Sequence, residues 1–187
     1  MKTSFYTDKE LKKIGLKSYG ENVLISKKTS IYNPSQISFG HHVRIDDFCL
    51  LSGNITISSY VHISAYCALY GGGSIVLKDF SGLSARVTIY SLSDDFSGQH
   101  LVGPLVLQKY TQVKKAKVIL NQYCQVGTGS VILPGVTLET GAVAGAMSLV
   151  KQNLNAWTIN VGIPAKFLKK RKKNLMKLSQ QLLKANV

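Results

Sequence analysis

The sequence predicts an all-β fold, a solenoid of short coils with a helix at either end. Three observations lead there. The first is a six-residue rhythm. Paired positions run from Val23/Ile25 through Val43/Ile45, Cys49/Leu51 and Cys67/Leu69 to Val87/Ile89, and resume from Val118/Leu120 to Ser148/Val150, seventeen hexads in all. The second member is always apolar and the first always small or β-branched. No amphipathic helix has a period of six, and no hairpin sheet keeps one phase for so long. A strict short period means coils that bury one another's inner faces. The second observation is the phase of the interruptions, which are Ser35-Gln36, Gly73-Ser74 and residues 93–117. Three hexads make one 18-residue coil of triangular cross-section, and each interruption falls between the second and third hexad. All three therefore leave one edge of the prism. The third observation is that the rhythm is missing at both ends.

Residues 4–15 read as a short amphipathic helix. Thr7 and Glu10 form a capping box, Tyr6 with Leu11 a hydrophobic staple, and Gly15 a C-terminal stop. Three parts follow: an N-terminal helical cap over 1–22, the solenoid over 23–153, and an extension with a basic helix over 154–187. The 25-residue excursion at 93–117 is the first place to look for chemistry, since long irregular loops are usually functional. Beyond LNAWTINVGIPAKF, a basic segment at 168–184 carries Leu168, Leu175, Leu178 and Leu182 at helical spacing. Its apolar stripe is expected to pack on the solenoid's open end or on a neighbouring subunit.

The chain has 187 residues, 45% of them apolar and 9% aromatic, which is globular and not disordered. It contains no apolar run of membrane-spanning length and no signal-peptide h-region, so a cytoplasmic location is the expectation. Cys49, Cys67 and Cys124 all occupy the small inward position of a hexad, where a buried thiol serves as a small hydrophobe. They are expected to be structural and unpaired. Lys and Arg number 23 against 9 Asp and Glu, a formal charge of +14. Such a field attracts polyanions, among them a phosphorylated cofactor, a nucleotide-linked substrate, nucleic acid or an anionic membrane. Eight of the basic residues lie in the last 22 positions, so the charge is partly a property of the tail. Nucleic acid is not the expected partner, and a membrane surface is not the favoured one.

The run SVILPGVTLETGAVAGAMSLV, followed by VGIPAK, resembles the C-terminal signature of the hexapeptide-repeat acyltransferases. It is similar to the branch of galactoside, maltose and nodulation-factor O-acetyltransferases and to the acetyltransferases of surface-polysaccharide synthesis. The resemblance covers roughly residues 20 to 170. It implies a left-handed parallel β-helix, a homotrimer with active sites between subunits, and acetyl-coenzyme A as donor. Ser59, Lys78 and Glu139 stand where turns of that family often have Gly, Asn or Asp, and Ala144 fills an inner position that is usually larger.

Acyl transfer to a hydroxyl needs a base, oxyanion stabilisation and alignment of the two substrates. His100, in the excursion sequence SLSDDFSGQHL, is the candidate base. Asp94 and Asp95 just before it suit orientation of the ring or binding of an acceptor hydroxyl. The resemblance adds that the family's catalytic histidine lies near the start of such a loop. The plain alternative is a surface loop histidine. His62 is the second candidate, outward on its hexad and able to line an intersubunit groove or simply pack an interface. His41, His42 and the pair Asp46-Asp47 read as solvated turn residues. No histidine pair has zinc-site spacing, and no metal is expected.

Gly127, Thr128, Gly129, Gly145 and Ala146 are the candidate cofactor-binding residues, with backbone amides open to a pantetheine arm. Their other reading is tight solenoid turns. Lys166, with Lys169 or Lys170, would meet the coenzyme's phosphates as point charges. Trp157 would cover the adenine or seal the apolar end. Together these readings give a trimeric acetyl-coenzyme A-dependent O-acetyltransferase acting on a sugar hydroxyl. The alternatives are N-acetylation of a nucleotide-linked amino sugar, or a non-catalytic polyanion-binding scaffold.

Overall fold

The computed structural model describes residues 4–185. Three faces of short strands wind into a prism, the left-handed parallel β-helix of the hexapeptide repeats. The first face stacks Val23–Ile25, Val43–Ile45, His62–Ile63, Gly82–Leu83, Gln125–Val126, Val143–Ala144 and Thr158–Val161, all parallel. The other two faces share strands that run through the edge between them. Leu50–Ile57 pairs with Ser30–Tyr32 through its first half and with Ile37–Phe39 through its second.

The register carries the coil length. Partners are 18 residues apart where a coil is uninterrupted, as Arg44 and His62 are. They are 20 apart across Ser35-Gln36, as in Val23 and Val43, and 43 apart across the excursion, as in Ile75 and Val118. Faces stay in phase because each insertion bulges at the same edge, between the second and third faces. A short 3-10 turn, Pro34–Gln36, fills the first of them.

Every first hexad member is buried, and so is every second member except Ile31, which is half-buried. The coils supply the core by stacking, with Ile25, Ile45, Ile63, Leu83, Val126 and Ala144 in register on the first face. Ala144 is fully buried, so the small side chain there leaves no exposed gap. Ser130, at another inward position, donates to Gly145 O at 2.8 Å and so satisfies its buried hydroxyl.

The N-terminal helix is shorter than expected, Asp8–Ile14. Its Thr7/Glu10 capping box is formed, and Gly15 ends it at φ +80°. Leu11 is buried on the solenoid.

The C-terminal segment departs from the sequence reading. Lys166–Lys170 is a strand, antiparallel to Thr158–Val161, and only Leu175–Ala185 is helical. Leu168 therefore lies outside the expected helical stripe and is 55% exposed. The antiparallel strand caps the parallel stack, whose last strand would otherwise leave an open edge.

The left-handed corner before the first face holds Asn22, His42, Tyr60, Phe80, Tyr123, Gly141 and Trp157, all at positive φ. Side chains there form a ladder. His42 stacks on Tyr60, Tyr60 on Phe80 and Phe80 on Tyr123, with ring centroids 4.7, 4.8 and 5.4 Å apart. Positive φ costs a non-glycine residue about 1–2 kcal/mol, and a stacked pair returns about 0.5–1.5. His42 is thus a ladder residue and not a solvated turn. Trp157 belongs to the same ladder, tilted against Tyr123 at 6.1 Å. At Gly141 a Cβ would come within 2.5 Å of the Trp157 ring, which is why glycine interrupts the aromatic series there.

Candidate active site

The excursion is built on a two-stranded antiparallel base, Leu92–Asp94 against Val113–Lys115. Between this base and the solenoid edge lies a cavity of about 810 Å³. Tyr70 and Tyr90 form one wall, their rings stacked 5.0 Å apart at an interplanar angle of 3°. Leu92, Val113 and Leu133 make much of the remaining surface, and Asp94 is its carboxylate. No Lys or Arg lines it, although the chain carries 23 of them.

The two neighbouring acids divide. Asp94 faces the cavity, while Asp95 turns to His100, whose Nδ1 lies 2.7 Å from its Oδ2. Ser97 also donates to Asp95 through its N–H and its hydroxyl. The His100 bond is the largest cause holding the Asp95 carboxyl well below the usual range, at about 2. An ionised carboxylate only accepts, so the ring donates through Nδ1–H in this bond. His100 is not part of the cavity wall.

His62 lies elsewhere. It is outward on the first face, and its Nε2 is 2.8 Å from Asp46 Oδ2. Asp46 is also bound by Arg44 Nε at 2.7 Å. Burial pushes the Asp46 carboxyl up, but the bonds from Arg44 and His62 outweigh it and hold it below the usual range. Asp47 accepts from Ser26 and from Lys28 Nζ. Neither acid is the solvated turn residue expected from sequence; both tie adjacent coils together. His62 lines a smaller groove of about 220 Å³ with Ser84 and Gln125. An edge between the second and third faces of a triangular prism lies opposite its first face. Within one chain, His62 and Asp94 therefore do not meet.

The small residues of the last coils are already engaged. Gly127, Gly129 and Gly145 donate their N–H groups to Ala144 O, Ala85 O and Asn160 O. The expectation that these three amides stand open is corrected: they hold coil to coil. A Cβ on Gly127 would meet Ala146 N at 2.4 Å, so glycine lets the backbones approach. Thr128 donates its hydroxyl to Ala85 O. Lys166 and Lys169 are exposed on the C-terminal strand. The three cysteines are free and buried, each thiol directed at a carbonyl, as Cys124 is at Glu139 O, 3.2 Å away. His41 accepts at Nδ1 from Glu21 N. Among the described residues no cluster of His, Cys, Asp and Glu could hold a metal, and no helix is long and apolar enough to cross a membrane.

No protein-family model matches the chain. It is 44% identical over 172 residues, 90% of each chain, to the dTDP-4-amino-4,6-dideoxy-D-glucose acyltransferase of Escherichia coli. It is 50% identical to AntD, an N-acyltransferase from Bacillus cereus, with a TM-score of 0.96 over 99% of this chain and 100% of that one. AntD has been crystallised with dTDP and coenzyme A and with dTDP and 3-hydroxybutyryl-CoA. The putative lipopolysaccharide O-acetyl transferase WbbJ of Escherichia coli K12 is 24% identical over 150 residues, 75% of this chain and 74% of that one.

These likenesses overturn the expected sugar-hydroxyl acceptor. The strong relatives are an acyltransferase of a nucleotide-linked amino sugar and an N-acyltransferase, whereas the O-acetyl relative is distant. The sequence signature failed on this point because it lies in the last coils. Those residues pack the prism and distinguish no acceptor. The chain belongs to the hexapeptide-repeat acyltransferases that use coenzyme A thioesters, in one family with the Escherichia coli and Bacillus cereus enzymes.

Proposed function

We propose that the chain transfers an acyl group from its coenzyme A thioester to the amino nitrogen of a dTDP-linked 4-amino-4,6-dideoxy sugar. The observation that carries this reading is Asp94 in a cavity without a cation. A carboxylate there can pair with an ammonium or accept from a neutral amine, and the charge pairing favours an amine over a hydroxyl. The relatives at 44% and 50% identity support it, since their acceptor or bound nucleotide is of this kind. Variants of the Bacillus cereus enzyme at its Ser84 and Asp94 have been crystallised, and this chain has Ser84 and Asp94 at the same numbers.

The nitrogen attacks the thioester carbonyl carbon. The C–N bond forms, the C–S bond breaks, and the nitrogen's proton ends on the departing sulfur as coenzyme thiol. An amine is a stronger nucleophile than a hydroxyl, so Asp94 need only hold it with its lone pair toward the carbonyl. His100 then supports the excursion through Asp95. Donor binding falls to the edge of small residues at Gly127–Gly129 and Gly145–Ala146, with Lys166 and Lys169 for the phosphates. The working unit is a homotrimer. Its support is the opposition of the two clefts in one prism: a second copy can bring a His62 and Ser84 groove up to an Asp94 cavity. Nucleotide-linked sugars and coenzyme A thioesters are made in the cytoplasm, and the protein works there.

The test is thiol release from acetyl-coenzyme A in the presence of dTDP-4-amino-4,6-dideoxyglucose or of dTDP-glucose, with the product's mass and its stability to hydroxylamine. An amide product from the amino sugar alone is expected. Ester formation on dTDP-glucose at a comparable rate would overturn the reading.

A further inference from the structure

The solenoid must close its last cross-section, and the segment that does so is neither polar nor neutral. The turn at 162–165 passes beneath the second face, where Gly162 O accepts from Leu149 N and Ala165 N donates to Leu149 O. Lys166–Lys170 then closes the first face. Beneath this cap Val150 and Leu154 are buried, yet the cap shows apolar side chains of its own to the outside. Ile163, Phe167 and Leu168 are 74%, 60% and 55% exposed. Single exposed apolar residues are ordinary, but three close together at one end form a patch. Cations accompany them. Lys170 pairs with Thr158, and Lys173 Nζ lies 5.6 Å from the Trp157 ring centroid, so both belong to the last coil. Lys172, between them in sequence, is exposed. None of the nine Asp and Glu lies beyond Glu139, so nothing in this segment's own sequence offsets the charge.

We infer that this end of the prism docks on an anionic phospholipid membrane. Ile163, Phe167 and Leu168 enter the boundary between headgroups and acyl chains, and Lys170, Lys172 and Lys173 meet the lipid phosphates. A nucleic acid would answer the cations but offers no place to Ile163 and Leu168. An apolar protein partner would cover the aliphatic side chains and leave the cations unanswered. A lipid surface takes both at once. The protein lies on that surface and does not span it, since no helix among the described residues is long and apolar enough. The end is also what a side-by-side homotrimer leaves free, because such an assembly covers the long faces. A rotation axis along the prisms would set three ends in one plane, so weak contacts add together. The inference goes beyond the acyl-transfer reading and does not depend on it.

The experiment is flotation of the full chain with vesicles of phosphatidylglycerol and phosphatidylcholine, and with vesicles of phosphatidylcholine alone, at low and high salt. Binding to the anionic vesicles is expected, weakened by salt, with far less binding to the neutral ones. Phe167→Ser combined with Leu168→Ser should lower the partition coefficient about ten-fold or more, and Lys172→Gln and Lys173→Gln about five-fold each. The two lysine variants are on exposed positions and keep the test valid if the apolar pair folds poorly. Thiol release from soluble substrates should be unchanged in them. Binding to anionic vesicles that neither the apolar nor the lysine variants weaken overturns the inference, since the attraction then belongs to the chain's overall charge. No flotation with either vesicle also overturns it. If the mass in solution then grows with protein concentration, the patch belongs to a second copy of the chain.

Discussion

His100 Nδ1 lies 2.7 Å from the Asp95 carboxylate, and this bond keeps the imidazole out of the cavity wall that the adjacent Asp94 occupies. Two consecutive acids on one strand end thus point to different tasks. Asp94→Asn should lower kcat/KM for the amino sugar about 10²- to 10⁴-fold, the range for a positioned acid–base or hydrogen-bonding group. His100→Ala should act mainly through the excursion, raising acceptor KM with a much smaller loss in kcat. Steady-state kinetics of the two variants separate the roles. A His100→Ala variant without turnover, beside an active Asp94→Asn, would return the base to His100.

The same pair fixes a pH response. His100 first, then Ser97, hold the Asp95 carboxyl at about 2, below its ordinary value. A depressed carboxyl contributes order that is present above the usual Asp range, near 3.9, and is lost as pH falls through the folded value. The excursion should therefore stay ordered to about pH 3 and loosen toward pH 2. NMR titration of the Asp95 side chain checks this directly. A midpoint near 4 would mean that the pair is not formed in solution.

Much of the fold was legible because a solenoid repeats one decision many times. Val23, Cys49 and Val87 are individually unremarkable, but their common phase fixes which side of each strand is inside. The 43-residue step from Ile75 to Val118 was equally legible, since the excursion must return the chain to the coil it left. The aromatic corner was not read, although His42, Tyr60 and Phe80 recur in phase. Their positive φ would be unfavourable for each residue alone and is offset only by stacking on the next coil. Tyr70 and Tyr90 lie in paired strands, one residue past their hexads, and only the stacking of neighbouring coils shows that they share a wall. The acceptor was misread because an amine and a hydroxyl differ by one carboxylate's placement. No spacing rule says which of Asp94 and Asp95 turns inward.

The cysteines should be inert in the folded protein. Burial pushes the Cys124 thiol up to about 12; the hydrogen bond with Cys67 lowers the Cys49 thiol, but all three are buried and unpaired, out of reach of a reagent. Thiolate is the reactive form, so a disulfide reagent at pH 8 should label native protein very slowly and denatured protein at three sites. Rapid labelling of one site with loss of activity would place a cysteine at the surface and break the coil register around it.

Removal of the tail should matter less than severing its anchor. In the single chain Leu178, Leu182 and Leu183 are 55%, 43% and 44% exposed, and Ser179 is the buried residue of the helix. Arg171, just before it, donates through Nη1 to Tyr123 O at 2.6 Å and Gly141 O at 3.0 Å, across two coils. Arg171→Ala would leave both carbonyls without that partner and should cost about 2–4 kcal/mol. Arg171→Lys should recover only part of it, because a single ammonium lacks the guanidinium's planar array of donors. Deletion from residue 174 onward should cost less than Arg171→Ala in chemical denaturation. The reverse order would mean that the helix is buried in the assembled protein.

The corner ladder gives the sharpest test of packing against backbone strain. Phe80 stacks on Tyr60 at 4.8 Å and on Tyr123 at 5.4 Å, with its backbone at φ +59°. Phe80→Ala removes both stacks and keeps a Cβ in the left-handed region, so the strain stays uncompensated. It should destabilise by about 2–4 kcal/mol, combining two aromatic pairs with lost apolar burial. Phe80→Gly removes the same stacks but relieves the backbone, by about 1 kcal/mol or more. Glycine should therefore be the milder substitution at this position, the reverse of the order in an ordinary strand. Denaturant midpoints of the two variants decide it. If alanine is the more stable, the positive φ costs little here, and the aromatic series serves something other than holding the corner.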